Sequence, residues 1–180
     1  MKKLIYMLTA AILSIGFTGC STSSKIDTKK IEVNKEVNEV KGQDKQEAPK
    51  FELLDANGKK QVSTDYLGKV LVVNFFNTWN ADSIKEIPEF MKVGNTYKKE
   101  GVEILFINSG EKGEDVTQFI SDNPIASLNV LLDLNSEVTK KYGVDSSPTT
   151  YVIDRDGYIF ARFAKTISKD ELISTIKSVL

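Results

Sequence analysis

Asn80-Ala81-Asp82-Ser83 follows the only tryptophan, Trp79, at the point where a buried apolar run gives way to a helical pattern. Ser83 is the one residue there that could act as a hydrolytic nucleophile, and it would need a base. Lys85 and Glu86 are the only nearby candidates in sequence, because the whole chain lacks histidine. Without imidazole there is no Ser-His-Asp triad and no ordinary general base near neutral pH. Cys20 is the single cysteine, so no internal disulfide can form, and no metal-ligand spacing occurs. The plain reading of the stretch is structural. Asn80 is a favoured helix N-cap, and Ser83-Ile84-Lys85-Glu86 has the form of a capping box. Either cap stabilises a helix by about 1 kcal/mol. Asp82, in the first turn, suits the helix dipole. The functional reading is a polar recognition surface at this helix terminus.

The elements that must position these residues are legible from periodicity. Residues 69–76 (KVLVVNFF) form a nearly continuous apolar run, as expected of a strand buried on both faces. The spacing then predicts a helix to about Glu100, with Ile84, Ile87 and Met91 on its inner face and Pro88 within it. Residues 102–108 and 129–134 read as two more strands. Between them a helix over 114–122 turns Val116, Phe119 and Ile120 inward, and a short helix over 136–142 ends at Gly143. Two hairpins flank this set: FELLD and KKQV joined by Asn57-Gly58 in a primed turn, and TTYVID and YIFARF joined by Arg155-Asp156-Gly157. The acidic turn at 154–157 lacks the ligand array of a calcium loop. The last helix opens with the capping box Ser168-Lys169-Asp170-Glu171 and buries Leu172, Ile173, Ile176 and Val179. The order predicts one α/β domain, a mixed sheet with helices on both faces.

The first fifty residues have a different texture. Lys2 and Lys3, an apolar stretch over 4–17 and the small residues Thr18-Gly19 make a secretory signal too short to span a membrane comfortably. FTGC resembles the lipobox of bacterial lipoproteins, which implies a signal over 1–19 and a lipidated Cys20 at the mature N-terminus. Two acyl chains would anchor the protein firmly outside the cytoplasm. Residues 21–50 contain no aromatic residue and mix seven lysines with six acids, a composition that cannot offset its ordering entropy. The expectation is a tether over 20–49, its ends about 30 Å apart as a coil, before a domain over 50–180. With 24 basic and 25 acidic residues there is no nucleic-acid footprint.

VVNFFNTWNADSIKEIPEF (72–90), YGVDSSPTTYVIDRDG (142–157) and the strand and helix over 102–123 together resemble the thioredoxin-fold family of extracytoplasmic thiol-disulfide proteins that includes TlpA and ResA. The resemblance covers about residues 50–180, with the 102–123 pair placed like that family's central insertion. It implies that Trp79 flanks a reactive site, that Pro148 after Ser147 is cis, and that the backbone beside Pro148 pairs with an extended protein segment. Glu86 matches a glutamate that influences the proton chemistry of the redox pair. At the pair itself this chain carries Asn80 and Ser83. An amide and a hydroxyl do not perform thiol-disulfide exchange, which needs a thiolate to attack and a second thiol to resolve. The expectation is a membrane-anchored binding or scaffold module with no cofactor or metal. The alternative is an envelope oxidoreductase that uses a partner's cysteines.

Overall fold

The computed structural model describes residues 45–123, 125 and 128–180; the signal, Cys20 and the tether up to residue 44 lie outside the described residues. A first hairpin, β1 (Glu52–Asp55) and β2 (Lys60–Val62), precedes the long strand β3 (Val70–Phe76). Then come α1 (Ala81–Tyr97), β4 (Val102–Ser109), α2 (Gly113–Asp122), β5 (Val130–Asp133) and α3 (Glu137–Lys141). A second hairpin, β6 (Thr149–Ile153) and β7 (Ile159–Phe163), and the helix α4 (Lys169–Lys177) complete the chain.

The seven strands form one sheet in the order β2-β1-β5-β4-β3-β6-β7. β3, β4 and β5 are parallel to one another, and the flanking pairs are antiparallel. This is the expected mixed sheet. β3, α1 and β4 form a βαβ unit, so the strand of the expected insertion is also part of the central frame.

Alternation along β3 divides the core in two. Val70, Val72 and Phe76 face Phe90 and Val93 of α1, Val116 of α2, and Leu172 and Ile176 of α4. Leu71, Val73 and Phe75 face Val138 of α3 with Tyr142 and Tyr151. Helices therefore cover both faces. The buried stripe of α1 runs through Ser83, Glu86, Ile87, Phe90, Val93 and Tyr97, whereas the expected Ile84 and Met91 are only half-buried. Asn74 is the polar exception on β3, fully buried and directed at the α1 layer.

Two expectations are corrected here. The Asn57-Gly58 turn is not primed, since only Gly58 is left-handed, at φ 79°. Gly58 N–H donates to the Asp55 carbonyl at 2.9 Å, and Asp55 N–H to that of Lys59 at 2.8 Å, a three-residue loop with a glycine bulge. The Asp55 carboxylate selects it by accepting from the N–H groups of Asn57 and Lys59, each at 2.9 Å. Asp154 does the same in the second hairpin, holding Asp156 N–H at 3.1 Å and Tyr158 N–H at 2.9 Å. Asp-x-x-Gly is the shared signal.

The second correction is the domain boundary. The folded body includes residues assigned to the tether, because Ala48 N–H donates to the Gly157 carbonyl at 2.9 Å and Ile159 N–H to that of Gln46 at 2.8 Å. Lys45 Nζ lies 3.3 Å from Asp154 and 5.2 Å over the Tyr158 ring. Main-chain pairing does not require apolar side chains, so composition did not mark this strap.

Candidate functional site

The carboxyl ends of β3 and β4, the start of α1 and the loop before β6 meet at one pole of the sheet. Asn80 is the N-cap of α1. Its Oδ1 accepts from Ser83 N–H at 3.0 Å, and its Nδ2 donates to the Ser147 carbonyl at 2.9 Å. One side chain thus closes the helix terminus and ties it to the neighbouring loop. The Ser147–Pro148 bond in that loop is cis. Ser147 Oγ donates to Asn77 Oδ1 at 2.8 Å, adding a second tie between the same two segments.

The Ser83–Glu86 capping box does not form. Ser83 lies inside the helix, 0% exposed, and its Oγ has no hydrogen-bond partner among the described residues. Glu86 is neither a cap nor a solvated residue. It is 5% exposed, with Oε1 2.7 Å from Asn74 Nδ2 and Oε2 3.4 Å from Ile167 N. Asn74 Nδ2 also donates to Thr150 Oγ1 at 2.9 Å. The reason is positional: with Asn80 as cap, residues 83 and 86 fall on the inner stripe, where Asn74 offers the carboxyl a partner. Burial pushes the Glu86 carboxyl up to about 7, against the hydrogen bonds from Asn74 and Ile167 and with a small push from Asp82.

A second polar cluster, which sequence spacing did not reveal, sits beside it. The Glu111 carboxylate accepts from Thr78 N–H at 2.8 Å, Asn77 Nδ2 at 2.9 Å and Asn108 Nδ2 at 3.0 Å, and from the Thr78 hydroxyl. Burial acts to raise this carboxyl, and the donated hydrogen bonds outweigh it and hold it below its ordinary value. Asn77 and Thr78 lie more than thirty residues away in sequence, beyond the reach of any local pattern.

Trp79 stands out from this braced ground at 73% exposure. Ala81 and Asp82 are exposed beside it, and Pro148 is buried beneath the loop. The structure therefore brings Trp79, Asn80, Ser83, Ser147 and Pro148 to one pole and sends Glu86 inward. Asn80 and Ser83 can donate and accept hydrogen bonds but carry no thiol. Among the described residues no cluster of three metal-ligating side chains occurs.

Residues 45–162 match the AhpC/TSA family model. The chain belongs to the AhpC/TSA family. Within it the chain is a TlpA/ResA-like, thioredoxin-fold member related to thiol-disulfide oxidoreductases. It is 33% identical to the thiol-disulfide oxidoreductase ResA of Geobacillus thermodenitrificans, over 73% of this chain and 75% of that protein. To the ResA of Bacillus thuringiensis subsp. konkukian it is 30% identical, over 99% of this chain and 97% of that one. Among solved structures it resembles a putative thiol:disulfide interchange protein DsbE from Chlorobium tepidum, with TM-score 0.70 and 25% identity over 77% of this chain and 99% of that one. It also resembles the exposed lipoprotein thioredoxin of Streptococcus pneumoniae, with TM-score 0.66 and 26% identity over 72% and 99% of the two chains. The family match takes in the strap and runs into the last strand, β7.

Proposed function

We propose that this protein is a lipoprotein anchored through Cys20 outside the cytoplasm, whose thioredoxin-fold domain binds a protein partner without redox chemistry. The observation that carries the reading is Asn80, whose two amide atoms close the helix terminus onto Ser83 and Ser147. Where exchange chemistry needs a reactive thiol, this chain has a hydrogen-bonded brace. Ser83 supports the same reading: a buried hydroxyl is hardly ionised at neutral pH, and histidine, the usual base, is absent. The binding surface consists of exposed Trp79, Asp82 and the loop at Ser147–Pro148, against which an extended segment adds main-chain contacts. The Ser147 carbonyl already takes the Asn80 amide and retains one lone pair for a partner. The FTGC motif and the likeness to an exposed lipoprotein thioredoxin support the anchor. Insulin reduction by the purified protein tests the central claim: turnover equal to a thiol-free control is expected, and turnover well above it overturns the reading.

A second reading is favoured by the names of the relatives, thiol-disulfide oxidoreductases. On that reading the domain would hold a partner's cysteines in place for exchange. A mixed disulfide through Cys20 in unlipidated material would support it, and full acylation of Cys20 would exclude that route.

A further inference from the structure

A cavity of about 150 Å³ borders the strap at the entry end of β3. It is lined by Ala48 and Pro49 of the strap, Leu71 of β3, Ile153 of β6 and Tyr142, the residue that follows α3. Leu71 and Ile153 are register partners across the two strands, so their side chains share one face of the sheet, the face on which Tyr142 packs. All three are buried. Leu67 also lines the cavity and is 57% exposed, which brings the space to the surface there.

Tyr142 is the informative member of this lining. It is 6% exposed, its ring fixed among Phe75, Tyr151 and Phe51 with centroids 5.2, 5.1 and 6.4 Å away. Its carbonyl accepts from the Tyr151 hydroxyl, but its own hydroxyl has no hydrogen-bond partner among the described residues. Burial holds that hydroxyl protonated, well above its ordinary value, so it is a neutral group that can both donate and accept. The half-buried polar groups beside it are already engaged. Ser63 Oγ accepts from Phe51 N–H at 3.0 Å, and the Tyr66 hydroxyl donates to Gln61 at 2.8 Å. An unpaired hydroxyl on a nine-tenths buried side chain is costly, and a ligand oxygen in the cavity would satisfy it.

Charge and size select the kind of ligand. Lys50 Nζ lies 3.0 Å from Glu47, and Lys69 Nζ 3.0 Å from Glu103. Lys45 Nζ lies 3.3 Å from Asp154 and 4.0 Å from Asp156. Every charged side chain that borders the cavity therefore has an opposite partner, and neither an anion nor a cation is favoured. A cavity of this volume with aliphatic and aromatic walls takes one benzene ring. A bare hydrocarbon ring would leave the Tyr142 hydroxyl unpaired.

We propose that this cavity is a binding site for a small uncharged aromatic molecule whose hydroxyl or carbonyl oxygen bonds to the Tyr142 hydroxyl. The site is separate from the Trp79–Pro148 pole. Leu71 stands near the start of β3 and Trp79 beyond its end, so the seven residues of the strand set the two about 20 Å apart. Binding here needs neither a thiol nor the proposed anchor at Cys20. A ligand that touches Ala48 and Leu71 together also holds the strap to the sheet.

Phenol, the simplest such molecule, provides the test. It is titrated into the full chain and followed by amide NMR. Saturable shifts are expected at Ala48, Leu71, Tyr142 and Ile153, with Trp79 and Asn80 unmoved. Shifts that do not saturate, or that centre elsewhere, overturn the proposal. Benzoate, a charged ring of similar width, is expected not to displace phenol, and displacement would overturn the uncharged class. Tyr142→Phe keeps the ring and removes a hydroxyl that bonds to nothing in the described fold, so the variant is expected to fold as wild type. In it the ratio of phenol to benzene affinity is expected to fall roughly tenfold, the worth of one hydrogen bond. The ratio cancels the different hydrophobicity of the two rings, and an unchanged ratio would overturn the role of Tyr142. The phenol and benzoate titrations use wild type alone and decide the site whatever the variant does.

Discussion

Asn80 Nδ2 donates to the carbonyl of Ser147 at 2.9 Å, across sixty-seven residues of sequence, while Oδ1 of the same amide caps Ser83 N–H at 3.0 Å. The contact joins α1 to the loop that carries the cis Ser147–Pro148 bond. Separate substitutions distinguish its two halves. Asn80→Ala removes both and is expected to lower stability by about 1–2 kcal/mol. Asn80→Asp retains the acceptor for Ser83 and a favourable charge at the helix start, but loses the donor to Ser147, and should fall between Ala and wild type. Urea unfolding reads the order; an Asn80→Ala protein as stable as wild type would show that the brace carries no energy.

Glu86 gives a pH dependence with a definite sign. Its carboxyl lies at about 7 in the folded protein against an ordinary 4.5, so the folded state holds the proton more tightly than the unfolded chain. That contribution to stability is full below 4.5 and is lost as pH rises through 7. Ionised Glu86 therefore destabilises the fold at pH 8 by at most about 3 kcal/mol. Glu86→Gln has no proton to lose, and its amide adds a donor near Asn74 Oδ1, a buried atom without a partner among the described residues. The variant is expected to gain on wild type steadily between pH 5 and pH 8. A stability difference that is flat over this range would count against the burial argument.

Ser83→Ala isolates the other buried group. The Ser83 hydroxyl is fully enclosed and makes no hydrogen bond to the described residues, so it is desolvated without compensation. Its removal, with the better helix propensity of alanine, is expected to raise stability by about 1 kcal/mol. Thermal unfolding checks this, and a clear loss of stability would show that Ser83 has a partner at this site.

How much of this was legible depended on the range of the signal. Residues 70–76 of β3 and the 102–109 strand declare themselves by apolar run length, and their pairing follows from the helix between them. The site was half legible. Ser83-x-x-Glu86 is ambiguous because a capping box and two inward residues of a buried stripe have the same spacing. Which one applies depends on whether the helix starts before or after Ser83, and that is decided by the Asn80–Ser147 bond and by Asn74 waiting on β3. Asn57-Gly58 misleads for a similar reason. The dipeptide suits a primed turn, but the Asp55 carboxylate three places before the glycine claims the N–H groups of a different loop. Glu111 had no readable signal, since nothing local links it to Thr78 across thirty-three residues.

Glu111→Gln should loosen the ground on which Trp79 stands. Its carboxylate is held below the ordinary value, so the stability it contributes is present above 4.5 and lost as pH falls through its lower folded value. The substitution keeps the shape but weakens acceptors that Thr78, Asn77 and Asn108 all use. A cost of about 1 kcal/mol is expected, at the low end for charged hydrogen bonds because the group is partly solvated. The local readout is faster amide exchange at Thr78 and lower Trp79 anisotropy at pH 7, both of which should converge on wild type in acid. Unchanged exchange at Thr78 would show that the cluster does not hold the loop.

Introducing thiols tests whether this frame supports exchange chemistry. Asn80→Cys with Ser83→Cys places two thiols at positions i and i+3 in the first turn of α1, where backbone N–H groups and the helix dipole favour a thiolate. The first thiol would sit at the half-buried start of the helix and the second inside it, in the asymmetric arrangement that exchange uses for an attacking and a resolving group. The oxidised double variant is expected to contain one disulfide between these positions by mass after thiol labelling, and the reduced form to turn over insulin at least modestly. It should also be less stable than wild type when reduced, because the Asn80 brace is gone. A folded double variant that forms no disulfide would mean that 80 and 83 do not occupy the family's redox positions. A disulfide without turnover would show that exchange here needs more than the two thiols, with the protonation of Glu86 the first property to examine, since burial pushes its carboxyl up to about 7.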